Sequence, residues 1–401
     1  CHSDHALATT LTIAPNTPPL MEPLNAEDRA ALLDAVRAFA SARLAPNAAT
    51  WDAEKTFPID VLREAGELGL GGIYVKEDVG GSALSRFDAV AIFEELAKGD
   101  TTIAAYISIH NMVAWMIDAY GNLPQREQWL PRMVTMEHLG SYCLTEPGAG
   151  SDAAAITTAA VIDGGDYVLN GTKQFISGAG ASSVYLVLAR TGGPGSHGIS
   201  AILVPADAAG LSFGPNEKKM GWNAQPTRQV VFENVHVPIA NRLSGEGDGF
   251  GIAMHGLNGG RVNIGACSLG GAQWALTRAT RYVQDREAFG APLADNQSVV
   301  FTLADMETDL QAARALLGRA AAKMDEGAPD AAAACALAKR FATDAGFRVA
   351  NAALQLHGGY GYLHEYGIER VVRDLRVHQI LEGTNEIMKL IVGRELLADS
   401  R

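Results

Sequence analysis

The segment His378-Gln379-Ile380-Leu381-Glu382-Gly383-Thr384-Asn385-Glu386 delivers one carboxylate from an apolar stretch to a glycine and a helix start, which makes Glu382 a candidate for acid–base chemistry. A helix N-cap region with solvated acids has the same pattern and is common. A second segment, Cys143-Leu144-Thr145-Glu146-Pro147-Gly148-Ala149-Gly150-Ser151-Asp152, lies where helical text gives way to strand text. Gly148 and Gly150 let backbone N–H groups approach an anion, and Thr145 and Ser151 add hydroxyl donors. An ordinary interdomain turn fits that pattern better when it is taken alone. A third, Asn170-Gly171-Thr172-Lys173-Gln174-Phe175-Ile176-Ser177-Gly178, reads as a hairpin whose far arm sends Phe175 and Ser177 to one side of a strand. By itself Phe175 is a plain core residue.

Other signatures are missing from the sequence. It has no GxxxxGK[ST] loop and no HExxH, and the glycines at 69–72 lack the Rossmann spacing. Most of the ten histidines are isolated, and His357 and His378 read as structural. The four cysteines (Cys1, Cys143, Cys267, Cys335) show no CxxC or Cys/His ligand spacing, so they read as reduced thiols with no metal site.

Three regions position these segments. Asn25 is placed to cap a helix carrying Leu32, Leu33, Val36, Phe39 and Leu44, with Pro46 as its stop. Further helical text covers 58–70, 88–96, 104–119 and 124–133, so residues 21–139 form an N-terminal helical domain. Short β-branched runs then alternate with turns, among them Asp163-Gly164-Gly165-Asp166 and Asn170-Gly171. Residues 140–248 are therefore expected to form a central antiparallel β domain. Helical period returns at 249 and holds through 269–284, 297–324, 330–358 and 384–397, giving a C-terminal helical domain over 249–401. The fold class is α+β rather than a doubly wound sheet.

Composition sets outer limits. With 401 residues, 48% hydrophobic and 19% charged, the chain has the profile of a folded globular protein. A net charge of −13 argues against nucleic acid or an anionic membrane as partner. No apolar run is long enough to span a bilayer. Residues 1–20, rich in Thr and Pro, read as a disordered tail that is neither a signal nor a transit peptide. The Ala- and Gly-rich text fits a bacterial cytoplasmic enzyme, the mitochondrial matrix being the eukaryotic equivalent.

Taken together and in order, these segments resemble the acyl-CoA dehydrogenase family. The resemblance rests on Thr145-Glu146-Pro147 through Gly150-Ser151-Asp152, Asp285-Arg286-Glu287-Ala288-Phe289-Gly290, Gln355-Leu356-His357-Gly358-Gly359-Tyr360-Gly361 and Glu382-Gly383-Thr384. It spans the chain from about Leu24. It implies a helical–β–helical fold with a four-helix-bundle-like C-terminal domain, one FAD per subunit and a homotetramer. Within the family, Tyr106-Ile107-Ser108-Ile109-His110-Asn111-Met112, Gly221-Trp222-Asn223, Gln225-Pro226-Thr227-Arg228 and Leu257-Asn258-Gly259-Gly260-Arg261 are similar to the branch acting on isobutyryl-CoA.

The resemblance also implies residue roles. Tyr142, Cys143, Leu144, Thr145, Gly150, Ser151, Phe175, Ile176 and Ser177 would hold the flavin, with Ser177 near N5, and Thr384, Asn385 and Glu386 would complete that site. Arg286, Asn296, Gln297, Gln355, Leu356, His357, Gly358 and Gly359 would reach the FAD of a neighbouring subunit, and Phe289 would also bind the cofactor. Ser151, Asn258, Gly259, Gly260, Arg261 and Arg394 match positions that contact the CoA thioester. Leu381, with Tyr106, would shorten or reshape the acyl pocket, and Ser108 would lie near it. Glu382 would be the base. Some relatives, isovaleryl-CoA dehydrogenases among them, carry the base at the position of Gly260, which has no side chain here.

The implied reaction converts isobutyryl-CoA to methacrylyl-CoA, as in valine breakdown, with electrons passed to an electron-transferring flavoprotein. Alternatives left open are a short-chain or 2-methylbutyryl-CoA dehydrogenase, an acyl-CoA oxidase using oxygen, and a non-catalytic flavoprotein or scaffold.

Overall fold

The computed structural model describes residues 23–398, so the expected tail over 1–20 lies outside the described residues. Six helices come first: α1 (Ala26–Phe39), α2 (Ala48–Glu54), α3 (Ile59–Glu67), α4 (Arg86–Gly99), α5 (Thr101–Tyr120) and α6 (Leu123–Val134). Asn25 caps α1 as its position predicts, its side-chain oxygen accepting from the Asp28 N–H at 2.9 Å. Asp100 caps α5 in the same way. That helix is apolar almost all round and buried along most of its length, as expected of an element enclosed by others.

The strands are β1 (Gly140–Cys143), β2 (Ala159–Asp163), β3 (Asp166–Ser177), β4 (Val184–Arg190), β5 (Ile199–Pro205), β6 (Leu211–Phe213), β7 (Thr227–Pro238) and β8 (Arg242–Leu243). They form one sheet in the order β6-β7-β3-β2-β4-β5-β8, with β1 beside β4. Most neighbours are antiparallel, as expected. β1 and β4 run parallel, Gly140 opposite Val184 through Cys143 opposite Val187. The β2–β3 excursion between them supplies the long connection that a parallel pair needs.

The turn expected at Asp163-Gly164-Gly165-Asp166 joins β2 to β3, with Asp163 opposite Asp166. The turn expected at Asn170-Gly171 is not there. Both residues lie inside β3, at a bulge against β7. Gly171 has φ +149°, and a Cβ on it would come within 2.6 Å of Thr158 Oγ1. The glycine permits a close approach of strands rather than a reversal of the chain.

The remaining elements are α7 (Gly249–Asp285), a short hairpin of β9 (Glu287–Ala288) and β10 (Ala291–Pro292), α8 (Gln297–Asp325), α9 (Ala331–His357), α10 (Ile368–His378) and α11 (Asn385–Ala398). Helical text from both ends of the chain shares one core, in which Phe93 and Ile107 join Leu269, Leu317 and Ala342. Helix α4 crosses α7 closely: a Cβ on Gly270 would lie 2.2 Å from the Glu94 carbonyl oxygen. The sheet has a core of its own around Tyr167, Tyr185, Val187 and Phe232. Cys143, Cys267 and Cys335 are free and buried. Among the described residues, no helix is long and apolar enough to cross a membrane.

Candidate active site

Glu382 sits in the turn between α10 and α11, where the chain reverses with two consecutive left-handed residues, Glu382 (φ 55°) and Gly383 (φ 90°). Glycine adopts this conformation freely, whereas glutamate incurs about 1–2 kcal/mol. Surrounding bonds hold the strained residue in place. The Asn385 N–H donates to the Gln379 carbonyl at 3.0 Å, and Arg261 Nε donates to the Glu382 carbonyl at 3.2 Å. Lys339 Nζ, from α9, donates to the Gly383 carbonyl at 2.9 Å and to Asn385 Oδ1 at 3.0 Å. The Glu382 N–H itself finds no acceptor among the described residues.

The Glu382 side chain lies against α7 at Gly260, where a Cβ would meet the carboxylate Oε2 at 2.4 Å. Oε2 is sealed from solvent and has no hydrogen-bond partner among the described residues. Burial raises the pKa of this carboxyl to about 7, against the opposing charges of Lys339 and Arg261. Nearby, Tyr142 from β1 presents a buried hydroxyl with no partner among the described residues. Burial first, then the Glu382 charge, push that phenol well above its usual range. Tyr74, whose hydroxyl accepts from Asn263 Nδ2 at 3.0 Å, also faces Glu382. A carboxylate with one oxygen sealed and unpartnered among the described residues, and a pKa raised toward neutrality, is equipped to take a proton from a bound ligand.

His378 anchors the entry to this turn. Trp222 Nε1–H donates to His378 Nε2 at 3.2 Å, which leaves Nδ1 protonated and donating to Ser268 Oγ at 2.6 Å. Ser268 Oγ in turn donates a hydrogen bond to the Ile264 carbonyl at 3.0 Å. Burial and then the Lys339 charge lower the imidazole to about 3, so the ring stays neutral. Leu381 packs with Ala105, Trp222 and Ile264. Tyr106, expected beside it, turns elsewhere: its hydroxyl pairs with Ser182 Oγ at 3.1 Å, on the sheet side of α5. Ser108 is fully buried, with a hydroxyl that has no partner among the described residues.

The segments expected to hold a flavin converge at one end of the sheet. Tyr142, Cys143, Leu144 and Thr145 leave β1, while Phe175, Ile176 and Ser177 close β3. The Gln174 N–H donates to the Thr145 carbonyl at 2.8 Å, and Ser141 Oγ donates to the Ser177 carbonyl at 2.6 Å. A buried ion pair fixes the loop: Lys173 Nζ donates to Glu146 Oε1 at 2.8 Å and to the Leu144 carbonyl at 3.0 Å. Burial opposes the charge on Glu146, yet bonds from Lys173 and Thr158 hold its pKa at about 2. Phe175 stands out with φ 59° and 63% of its surface exposed. Gly150 and Ser151 are exposed, and a Cβ on Gly148 or Gly150 would meet nothing within 4 Å. An exposed aromatic face, an open glycine loop and the orphaned Tyr142 hydroxyl fit a planar, polar cofactor.

A second group gathers around a cavity of about 400 Å³ lined by Arg286, Gln355, Leu356, His357, Gly358 and Gly359, with Tyr282 and Tyr360. His357 stacks on Tyr282 at 4.3 Å and bonds the Ala353 carbonyl through Nδ1 at 2.7 Å. Phe289 projects fully into solvent from the β9–β10 turn. Asn296 caps α8, and Gln297 is the first residue of that helix.

Of the remaining expected residues, Asn258 pairs with Arg261 at 2.8 Å, and Gly259 backs onto Arg86, whose guanidinium lies 3.6 Å from the Tyr74 ring centre. Thr384 lies in the turn, its hydroxyl 3.4 Å from the Ile387 N–H, and Glu386 is exposed. Arg394 is exposed on α11. Asn385, expected at the flavin, is buried and gives its amide to Thr343 Oγ1 at 3.0 Å and Asp344 Oδ1 at 2.8 Å. Sequence reasoning missed Lys339, Tyr74 and Arg86. Lys339 left a trace, being a lone lysine on the apolar face of an Ala-rich helix, whereas Tyr74 sits in a loop without periodicity and Arg86 opens α4 just ahead of its apolar text.

Three family models cover most of the chain: acyl-CoA dehydrogenase N-terminal domain over residues 26–137, middle domain over 141–235 and C-terminal domain over 247–397. The mitochondrial isobutyryl-CoA dehydrogenase of Bos taurus is 52% identical over 361 residues, 90% of this chain and 87% of that protein. Its counterpart in Dictyostelium discoideum is 55% identical over 362 residues, with the same coverage. The structure of butyryl-CoA dehydrogenase from Megasphaera elsdenii superposes with a TM-score of 0.91 at 38% identity, covering 94% of this chain and all of that one. With domain order, fold and identity in agreement, the chain belongs to the acyl-CoA dehydrogenase family.

Proposed function

We propose that this protein is an FAD-dependent dehydrogenase of a short branched acyl-CoA, converting isobutyryl-CoA to methacrylyl-CoA, with Glu382 as the base. The observation that carries this reading is the Glu382 carboxylate, whose Oε2 is sealed and unpaired among the described residues and whose pKa is raised to about 7. An acyl-CoA α-proton is weakly acidic, so its removal needs a desolvated carboxylate and a donor for the enolate oxygen. The Glu382 N–H, which lacks an acceptor among the described residues, supplies such a donor. Tyr142 to Thr145, the Gly150–Ser151 loop and Phe175 to Ser177 hold the cofactor. FAD, when bound, accepts the β-hydrogen with its electron pair and so completes the double bond.

The similarity to two isobutyryl-CoA dehydrogenases supports the branched substrate, and Leu381 packed with Ala105 and Ile264 supports a short acyl space. Methyl-sized differences are worth only about 1–3 kcal/mol in such a pocket. In this reading the enzyme is a homotetramer whose Arg286–Gly359 cavity serves a neighbouring subunit's FAD, and electron-transferring flavoprotein takes the electrons, as in valine breakdown.

The test is anaerobic bleaching of the flavin by a panel of acyl-CoAs. Isobutyryl-CoA is expected to bleach fastest, and Glu382→Gln is expected to keep FAD while losing several orders of magnitude in rate. Near-normal bleaching in that variant would remove Glu382 from the role.

A further inference from the structure

Lys339 is the least expected charge in the helical body. It sits in the middle of α9 within Ala336, Ala338 and Ala342, and its side chain is fully buried. A buried ammonium is tolerated only where it is hydrogen-bonded and meets opposite charge. Both of its bonds reach into the Glu382 turn, one to the Gly383 carbonyl and one to Asn385 Oδ1. Asn385 is itself clamped to Thr343 and Asp344, one helical turn further along α9. One face of α9 thus grips the residues that immediately follow the strained Glu382.

We propose that Lys339 is a positioning residue for the base: its tether fixes the left-handed Glu382–Gly383 turn, and the same two bonds keep a cation at the turn that carries the carboxylate. This rests on Glu382 being the base. The charged and titratable groups facing Glu382 are Lys339 from α9, Arg261 and Cys267 from α7, Tyr142 from β1 and Tyr74 from the segment before α4. Only Lys339 and Arg261 favour its ionised form, and Lys339 is the larger of the two. Burial lowers Lys339 itself to about 8, with Glu382, Asp344 and Glu386 pulling the other way.

Two neutral substitutions separate tether from charge. Lys339→Gln can still donate to the Gly383 carbonyl, whereas Lys339→Met can do neither. The readout is exchange of the isobutyryl-CoA α-proton with D2O in the holoenzyme with its flavin reduced, where no hydride can leave and only the base is measured. Removing a cation close to a carboxylate raises its pKa by about one unit or more. The acid limb of the exchange profile is therefore expected to move up by about that amount in both variants, a roughly tenfold loss below the midpoint. Lys339→Met is expected to exchange more slowly than Lys339→Gln at every pH. Lys339→Arg keeps the charge, so its limb should stay within about half a unit of the parent.

An unmoved acid limb in folded, FAD-replete Lys339→Gln overturns the proposal. Should neither neutral variant retain FAD, Lys339→Arg decides: a limb shifted by about one unit or more sinks the idea. Glu382→Gln in the same assay keeps the two readings apart, because exchange persisting there removes the base assignment whatever the lysine variants do.

Discussion

The Glu382 carboxylate rests against the backbone of Gly260, with Oε2 only 2.4 Å from the point where a Cβ on that glycine would be. The absent side chain is a condition of the site, since any substituent at 260 displaces the carboxylate or the helix that carries it. Gly260→Ala is expected to keep FAD and fold while losing on the order of a hundredfold in kcat/KM, the scale set by misplacing a reacting group by about 1 Å. Unchanged kcat/KM with isobutyryl-CoA would show that the carboxylate works from somewhere else. In the double variant Gly260→Glu with Glu382→Gly, the base returns to the same volume from the opposite wall, and part of the lost rate should come back.

Glu382 also leaves a signature in stability. Its pKa is about 7 when folded, against about 4.3 in an unfolded chain, so the folded state holds the extra proton between those values. The resulting stability is fully present below about pH 4.3 and is lost as pH rises through about 7. Glu382→Gln should therefore stabilise the protein at pH 8 by up to about 3 kcal/mol and change little at pH 4.5. Melting curves at the two pH values check this. An equal gain at both would show that the charge is not the cause.

The Lys173–Glu146 pair should behave in the opposite sense. Lys173→Met leaves the Glu146 carboxylate buried with only its Thr157 and Thr158 donors, at an expected cost of about 3 kcal/mol and with weaker retention of FAD. Adding Glu146→Gln should recover part of the loss. Denaturant midpoints and bound-flavin absorbance measure both effects, and a Lys173→Met protein as stable as its parent would contradict them.

Trp222→Phe removes the donor to His378 Nε2 while keeping most of the ring. An unpaired buried imidazole nitrogen should cost about 1–3 kcal/mol. Because the bond ties the sheet-side loop to α10, kcat should fall along with Tm. A drop in Tm with kcat untouched would confine Trp222 to packing.

Much of this was legible in the sequence, for reasons that particular residues make plain. Asn25, the Asp163–Asp166 turn and the long helical periods obey local rules, and the structure follows them. Asn170-Gly171 misled because two residues suited to a turn also suit a bulge, and only the approach of Thr158 decides between them. β1 beside β4 was hidden because a parallel pairing leaves no turn between its strands. At the site, Glu382 was readable from its setting before Gly383, but its environment was not. Lys339 comes from a stretch of chain far from Tyr74 and Arg86, and nothing local announces that they gather around one site. Asn385 shows the converse, since adjacency to the motif drew it to the flavin while its buried amide belongs to α9.

The uninterrupted α7 has a consequence for how this protein can change over evolutionary time. In sequence order it sets Gly249 against Ser200, Gly256 against Met116, Gly259 against Arg86, Gly260 against Glu382 and Gly270 against Glu94, before the chain reaches Arg286. One inserted or deleted residue would swing everything beyond it by about 100° and slide it by about 1.5 Å, breaking every later contact at once. Changes in length are thus confined to loops such as 191–198. New acyl preferences must arise by exchanging one side chain for another within a frame whose spacing cannot drift.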